Sequence, residues 1–380
     1  MSNNSDKGTR NLNVPTLRFP EFEGEWEKTK LSNYSSKITK KNKGNQCKNV
    51  LCNSASLGII PQKDYFDREI ANGDNTDGYY VISNGDFIYN PRKSSSAPYG
   101  PINIYEGVDT GIISPLYLCF SVKNIYKKFL LFFFKSSAWY SYVYKNGDSG
   151  VRHDRVSIKD EVFLSMPIPI PLKNEQKKIA DFLSLIDQRI YTQNKIIESL
   201  ESLIKGLSEK LTKQSSPNTE IGDSLTCKSS TLQESLISTK GKYPVYGASG
   251  ICGFVDVADV HNDSILIIKD GASVGTTYLG YGQHAFIGTL NSLTQRNGYS
   301  LEYLYYALKV FNFAPYKTGL AIPHIYFKDY SKAKIWCPKY DEQVKIAKTL
   351  SAIDKKIQIE KSLLEQLNSQ KRFLLSQMFI

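Results

Sequence analysis

The residue types that most often carry catalysis occur in this chain, but not at the spacing that catalysis needs. None of the four histidines has an obvious nucleophile as its partner: His153, His261, His284 and His324. Glu175-Gln176-Lys177 matches only the last part of a PD…(D/E)xK nuclease motif, and no proline in the chain is followed by aspartate. The Gly-rich stretch 271–275 is more typical of a tight turn after a strand than of a phosphate-binding loop. The sequence therefore favours a binding protein without catalytic residues.

Methyl-transfer and metal chemistry lack their signatures as well. The fragment Tyr89-Asn90-Pro91-Arg92 lacks the second proline and the aromatic residue of an adenine methyltransferase motif of the form (N/D)PP(Y/F). The six cysteines form no CxxC pair, and none has a histidine at metal-ligand spacing. We expect reduced thiols, no metal site and no cofactor bound by this chain.

The charge balance indicates an anionic partner. Lysine and arginine outnumber aspartate and glutamate by 48 to 37, which gives a net charge of +11. Such an excess is typical of nucleic-acid binding, although charge alone does not separate DNA from RNA or a membrane surface. The longest apolar run, Phe129 to Phe134, is too short to cross a bilayer, and the N-terminus has no apolar signal segment. We therefore expect a cytoplasmic protein with no membrane partner.

One sequence element occurs twice. PLKNEQKKIADFLSLIDQRI (Pro171 to Ile190) returns without a gap as PKYDEQVKIAKTLSAIDKKI (Pro338 to Ile357). Each copy follows a mixed, aromatic-rich body and opens a long helix, for which Asn174 and Asp341 are the expected N-caps. Because the similarity begins before the helices, it indicates duplication of a whole domain together with its helix.

The two helices carry apolar residues in steps of three and four, in the same heptad register, which predicts a narrow coiled-coil seam. The seam residues are Ile179, Leu183, Ile186, Ile190, Ile197 and Leu200 in the first helix and Ile346, Leu350, Ile353, Ile357, Leu364 and Leu367 in the second. Gln193 and Glu360 interrupt the seam at matching positions. Each helix would be roughly 55–60 Å long, so an antiparallel pair could hold two bodies about one DNA turn or more apart. A pair formed between two chains remains the alternative.

The predicted fold is α+β. Two mixed α+β bodies each precede a long helix, and the helices pair as an antiparallel coiled coil with pseudo-two-fold symmetry. In the first body we predict strands at 79–82, 86–89 and 115–120 and a helix over 126–144; in the second, strands at 264–269 and 286–294 and a helix over 301–310. The predicted segments are a disordered start 1–13, a first domain 14–172, a helix 173–214, a second domain 215–338 and a helix 339–380.

Over about residues 14–380 the chain resembles the DNA-specificity subunit of a type I restriction–modification enzyme. The supporting motifs are VPTLRFPEFEGEWE (Val14 to Glu27), the repeated P…EQ.KIA..LS.ID..I and YPVYGASGICGFVD (Tyr243 to Asp256). The resemblance implies that each body is a target-recognition domain reading half of a split sequence in double-stranded DNA. The helices would set the unspecified gap and dock two modification subunits that carry S-adenosylmethionine and methylate adenines. Restriction subunits that use ATP and Mg would complete the complex.

Because the recognition domains of that family diverge, no base-contacting residue transfers by resemblance, and the contacts have to be predicted from chemistry. Arginine and lysine suit guanine and phosphate, asparagine suits adenine, and small hydroxyl groups suit several base edges. Polar loops rich in these types lie at similar points of the two repeats. The predicted DNA-binding residues are Asn90, Arg92, Lys93, Ser94, Arg152, His153 and Arg155 in the first body and Lys269, Ser273, Lys317 and His324 in the second.

The sequence leaves two other functional classes open. One is a coiled-coil adaptor with two protein-binding heads and no role on DNA, and the other is a self-sufficient nuclease or methyltransferase.

Overall fold

The computed structural model describes residues 13–65, 76–148, 154–319 and 321–380. They divide into two compact units, one drawn from residues 1–191 and 365–380, the other from residues 192–364. Two long helices, α4 (Lys173–Thr212) and α8 (Tyr340–Gln377), each contribute one part to each unit. The predicted start 1–13 lies outside the described residues except for Asn13.

The first unit is built on two four-stranded sheets and one two-stranded sheet. Its strands are β1 (Glu27–Lys30), β2 (Ser35–Lys37), β3 (Val50–Ser54), β4 (Gly58–Pro61), β5 (Tyr80–Ile82), β6 (Phe87–Tyr89), β7 (Ile102–Ile104), β8 (Gly111–Ile113), β9 (Leu118–Val122) and β10 (Pro167–Ile170). One sheet is antiparallel throughout, in the order β2-β9-β6-β7. The other has the order β4-β3-β8-β5, with β3 and β8 parallel, and β1 pairs with β10.

Three short helices cover the first unit: α1 (Lys127–Lys135), α2 (Tyr140–Asn146) and α3 (Asp160–Leu164). The single helix expected over 126–144 is therefore two. It breaks at Ser136, whose backbone is extended and whose hydroxyl donates to the carbonyl of Phe133 at 2.6 Å. A serine hydroxyl that bonds to a nearby backbone carbonyl competes with helical hydrogen bonds in this way. The apolar face of α1 packs into an aromatic core that includes Phe87, Phe120 and Trp139.

The second unit repeats this plan with fewer strands. Its strands are β11 (Thr219–Glu220), β12 (Leu225–Ser229), β13 (Tyr243–Gly247), β14 (Gly250–Val255), β15 (Ser264–Ile268), β16 (Thr277–Gly280), β17 (Ala285–Phe286), β18 (Leu290–Gln295) and β19 (Lys334–Ile335). The antiparallel order β12-β18-β15-β16 matches β2-β9-β6-β7, and the three-stranded sheet β14-β13-β17 has one parallel pair, β13 with β17. The strand expected over 286–294 is thus divided between β17 and β18.

The remaining helices of the second unit are α5 (Ile221–Ser224), α6 (Leu301–Lys309) and α7 (Phe327–Tyr330). Ser300 caps α6 by accepting a hydrogen bond from the backbone N–H of Tyr303 at 3.3 Å. The core contains Tyr303, Tyr306 and Tyr330, all at most 2% exposed. These three tyrosines are core residues, and the hydroxyl of Tyr303 donates to the carbonyl of Trp336 at 2.5 Å, so this ring is buried while its polar group keeps a partner.

The long helices begin at Lys173 and Tyr340, so the expected N-caps Asn174 and Asp341 lie inside the first turn rather than at the cap. A glutamine fixes each start instead. Gln176 accepts from the N–H of Tyr126 at 2.9 Å and donates to the carbonyl of Pro171 at 2.9 Å. Gln343 accepts from Ser300 at 2.9 Å and donates to Pro338 at 2.8 Å. The repeated glutamine thus ties each long helix to the start of the short helix of its own unit.

The long helices pair with opposite directions within the units. In the first unit Lys371 of α8 forms an ion pair with Asp187 of α4. In the second, Gln193 donates to the carbonyl oxygen of Glu360 at 3.0 Å and to its carboxylate, and Lys361 pairs with Glu201 at 2.6 Å. The two polar residues that interrupt the apolar pattern are thus hydrogen-bonded to each other, and both are buried.

The predicted seam residues differ in burial. In the first unit Ile179, Leu183 and Leu367 are at most 5% exposed, whereas Ile186 and Ile190 are half-buried. In the second unit the half-buried members are Leu200, Ile353 and Leu364, and the buried ones are Ile197, Ile346, Leu350 and Ile357. The buried residues near the helix starts also pack on the core of their own unit, so part of the seam attaches each helix to its domain.

Candidate nucleic-acid interface

In the first unit, two polar loops are joined by backbone hydrogen bonds. The N–H of Val156 donates to the carbonyl of Pro91 at 2.9 Å, and the N–H of Lys93 donates to Asp154 at 2.8 Å. Arg92 and Arg155 face each other between these two bonds as an antiparallel bridge. Two loops that are distant in sequence therefore present their cations side by side, at the end of β6.

The predicted residues of this loop pair fall into two groups. Arg92 and Lys93 are exposed, and their side chains make no hydrogen bond or ion pair within the described part of the chain. Asn90 is anchored: its amide donates to the carbonyl of Asn53 at 3.1 Å and accepts from the N–H of Arg92 at 3.0 Å. The hydroxyl of Ser94 accepts from Ala97 at 3.1 Å and closes a tight turn. Asn90 and Ser94 shape the loop, which leaves Arg92 and Lys93 directed to solvent.

The other members of the first predicted set lie on the second loop of the pair. The Arg155 side chain is 34% exposed and lies 4.0 Å from Asp154, a long contact for an ion pair. Arg152 and His153 lie outside the described residues.

The second unit has the same construction. The N–H of Ile325 donates to the carbonyl of Lys269 at 2.9 Å, and the N–H of Gly271 donates to Pro323 at 2.9 Å. Asp270 and His324 form the bridge between these bonds. Gly271 has a φ of 103°, a backbone conformation that favours glycine, so the sharp turn after β15 depends on it.

The structure brings two of the four predicted residues of this unit together in the loop pair. Lys269 and His324 are half-buried there, and the His324 ring meets the Tyr326 ring edge-on at 5.4 Å. Ser273 is exposed in the turn after Gly271. Lys317 is exposed next to Thr318, which exchanges two backbone hydrogen bonds with His324.

A cavity of about 320 Å³ opens beside this loop pair, and most of its lining was not predicted. It is lined by Cys227, Ser229, Lys269, Asp270, Asn291, Ile325, Tyr326, Phe327 and Lys328. Tyr326 is 47% exposed, and the Lys328 ammonium lies 5.4 Å from the centre of its ring. The position of Tyr326, two residues after the predicted His324, was a usable signal in the sequence. For Asn291 the sequence held no such signal, because its position beside the cavity depends on the pairing of β18 with β15.

The six cysteines form no disulfide with one another. All six cysteines are free thiols, as expected, and burial raises the pKa of Cys227 beside the cavity to about 11, a change opposed by Lys269. Within the ranges that the structure describes, no three His, Cys, Asp or Glu side chains gather in a metal-binding cluster. In the same ranges, no helix is long and apolar enough to cross a membrane.

The model of the type I restriction modification DNA specificity domain matches this chain twice, at residues 25–202 and 212–369. A curated relative, the type I restriction enzyme MjaVIII specificity subunit of Methanocaldococcus jannaschii, is 32% identical over 152 residues. That alignment spans 37% of this chain and 36% of the relative, so it covers about a third of the relative's length.

Two solved structures share the fold. The S subunit of a type I restriction-modification system from M. genitalium aligns over 97% of this chain and 99% of its own, with 18% identity and a TM-score of 0.60. A chain from a structure concerned with complex assembly and conformational transition of the type I R-M system aligns over 92% of this chain and 96% of its own, with 14% identity and a TM-score of 0.58. With one copy of the domain in each half, this protein belongs to the family of type I restriction enzyme specificity subunits.

Proposed function

We propose that this chain is the non-catalytic, sequence-specific DNA-binding subunit of a type I restriction–modification complex. The observation that carries the proposal is the loop pair built twice with the same hydrogen bonds and different side chains. Each domain would read one half of a split target in double-stranded DNA. Exposed cations in the loops suit phosphate contacts, which position a protein, and base-edge contacts, which give it specificity.

The long helices are proposed to set the gap between the half-sites and to dock two modification subunits. Support comes from apolar side chains that the helices leave in solvent: Leu185 and Phe373 in the first unit and Leu203 and Ile359 in the second are 48–62% exposed. Exposed apolar surface of this kind is typical of protein interfaces. S-adenosylmethionine would enter with the modification subunits, and ATP and Mg with restriction subunits. The complex would act in the cytoplasm, where its DNA is.

The direct test is to express the chain with modification subunits of its family in a host without adenine methylation and to map methylated adenines. We expect methylation at one split sequence. Replacing residues 32–166 with the equivalent body of a relative should change one half-site and leave the other intact. Methylation without a common split sequence, or a swap that changes both halves, would contradict the proposal.

The spacer role has its own test. A one-turn insertion in α4 next to Gln193 should change the gap and leave both half-sites unchanged. The matched control is an insertion of the same length among the exposed residues 213–218, outside the helix, where we expect no change in the gap. An unchanged gap after the helical insertion would count against the spacer.

Salt dependence separates this proposal from the protein-binding adaptor. For a DNA reader, the logarithm of affinity should fall with the logarithm of salt concentration, with a slope of about 0.9 per phosphate contact. Binding to duplex DNA that does not respond to salt, or no binding, would favour the adaptor.

A further inference from the structure

We propose that Arg92 and Asp270 are equivalent base-reading side chains of opposite hydrogen-bonding character. Arg92 would read guanine in the half-site of the first domain, and Asp270 would read cytosine in the half-site of the second. The inference rests on the proposed function and deepens it, since it names a specificity-determining residue in each domain and the base that each takes.

The two residues occupy the same position in their units by the loop hydrogen bonds. Arg92 lies between Pro91, whose carbonyl accepts from the opposite loop, and Lys93, whose N–H donates to the opposite loop. Asp270 lies in the same way between Lys269, whose carbonyl accepts, and Gly271, whose N–H donates. The four hydrogen bonds of the two units are 2.8–2.9 Å long. Arg92 and Asp270 each form a bridge with the middle residue of the opposite loop, Arg155 and His324 respectively.

The sheets agree with this equivalence. Two residues before Arg92 the N–H of Asn90 donates to Pro101 at 3.0 Å, and two residues before Asp270 the N–H of Ile268 donates to Thr276 at 2.9 Å. Phe87 of β6 pairs with Phe120 on one side and Ile104 on the other. Ile265 of β15 pairs with Leu293 and Leu279, which lie on the corresponding strands β18 and β16. The same number of residues separates Phe87 from Arg92 and Ile265 from Asp270. Counted along corresponding strands, Arg92 and Asp270 thus lie at the same distance from the last hydrogen bond to the neighbouring strand.

Opposite chemistry at this position implies opposite base edges. A guanidinium has only donors and fits the O6 and N7 acceptors of guanine in the major groove. An ionised carboxylate has only acceptors and fits the N4 amino group of cytosine. Adenine also offers an amino group, but its N7 acceptor lies beside it and would repel the second carboxylate oxygen. Cytosine is therefore the better partner for Asp270.

The surroundings of Asp270 argue against a mere surface charge. Its side chain is half-buried and lines the cavity together with Lys269 and Lys328, yet within the described residues it forms no ion pair or hydrogen bond. A carboxylate that faces DNA is repelled by the phosphates, so its presence in a DNA-facing loop requires a compensating donor. The amino group of a base supplies one. Arg92 is likewise unpaired within those residues, so both side chains are available to a ligand.

The experiment compares the wild-type chain, Asp270→Asn and Arg92→Gln, each assembled with modification subunits, on a DNA library randomised in both half-sites. Asp270→Asn should reduce discrimination for cytosine by about tenfold or more at one base pair of the second half-site, because an amide prefers adenine. Arg92→Gln should do the same for guanine in the first half-site. The matched control is Asp256→Asn, the same charge change at an exposed residue after β14, which should leave both half-sites unchanged.

Three results would overturn the inference. One is a wild-type second half-site without a G·C pair. Another is an Asp270→Asn protein that folds like the wild type and selects an unchanged second half-site. The third is a uniform change of affinity at all positions, which would show that Asp270 acts only through its charge. Failure of the wild type to select any split sequence would instead contradict the proposed function.

Discussion

The two units use the same Glu-Gln pair at the start of their long helices, but only the glutamine has the same role in both. Gln176 and Gln343 are both 2% exposed and make equivalent hydrogen bonds. Glu175 is fully buried, whereas Glu342 is exposed. Identical sequence in a duplicated protein therefore does not guarantee an identical role, because the neighbouring chain decides what each side chain contacts.

The N-terminal arm, residues 13–26, causes the difference. Arg18 donates two hydrogen bonds of 2.8 Å to the carboxylate of Glu175, and the Trp26 indole donates a third at 3.2 Å. The arm also bonds to the end of α8, where the N–H of Leu17 donates to Gln377 at 2.9 Å. In the second unit the segment before β11 supplies no such arginine, and Glu342 faces solvent. The first unit thus gains a buried ion pair that the second does without.

The largest expected effect of this difference is on stability. Arg18→Met should destabilise the first unit by about 3–5 kcal/mol, because it leaves the buried charge of Glu175 without its partner. Hydrogen exchange of peptides from the first turn of α4, compared with the first turn of α8, measures the loss within one sample. The matched variant Glu342→Ala should cost no more than about 0.5 kcal/mol, since the residue is exposed. Equal exchange in both turns of Arg18→Met would contradict the role of the arm.

The shared glutamines should behave alike. Gln176→Ala and Gln343→Ala each leave one buried and one partly buried backbone group unpaired, and an unpaired buried group costs about 1–3 kcal/mol. Thermal unfolding of the two single variants should show similar losses. A much smaller loss for Gln343→Ala would mean that the second helix start is held by contacts other than this glutamine.

The helix pair offers a smaller contrast between the units. Two double-mutant cycles measure the coupling free energy of each pair: Gln193 and Glu360 are replaced by leucine, and Asp187 and Lys371 by alanine. The coupling free energy should be larger for the buried pair Gln193 and Glu360 than for the half-exposed pair Asp187 and Lys371. Hydrogen bonds from Lys356 and Gln193 lower the pKa of Glu360, so its charge is stabilised where it lies. Exposed ion pairs contribute only about 0.2–1 kcal/mol. Chemical denaturation of the single and double variants measures both couplings, and equal values would refute the contrast.

The sequence predicted what depends on local pattern and missed what depends on neighbours. Apolar spacing and the repeated segment were sufficient for the two long helices and the α+β bodies. The apolar pattern could not show that Ser136 would divide a helix, because the break goes with a hydrogen bond from its hydroxyl to the carbonyl of Phe133. Nor could it show that Arg92 meets Arg155 or that Asp270 meets His324, since those bridges join loops far apart in the chain. Asp270 is not among the predicted DNA-binding residues, because that prediction was based on cations, amides and small hydroxyl groups.

The smallest expected contrast concerns pH. His284 is buried in the second unit, with its ring nitrogens 3.0 Å from the Ser264 hydroxyl and 2.9 Å from the Gly282 carbonyl. Burial lowers its pKa below the usual 6.5, and the carbonyl and the nearby Asp263 and Asp259 oppose the shift only in part. Among its described residues, the first unit has no histidine.

The sign of the pH effect follows from proton uptake. Below about pH 6.5 the unfolded chain protonates His284, whereas the folded chain does not until the pH reaches the lowered pKa. The unfolded state therefore binds more protons in this window, and the second unit loses stability as the pH falls through it. Hydrogen exchange at pH 7.5 and pH 5.5, corrected for intrinsic rates, should show faster opening of β15 than of β6 at the lower pH. His284→Asn should remove the difference and the exposed control His261→Asn should keep it; a difference that survives His284→Asn would assign the pH response to other groups.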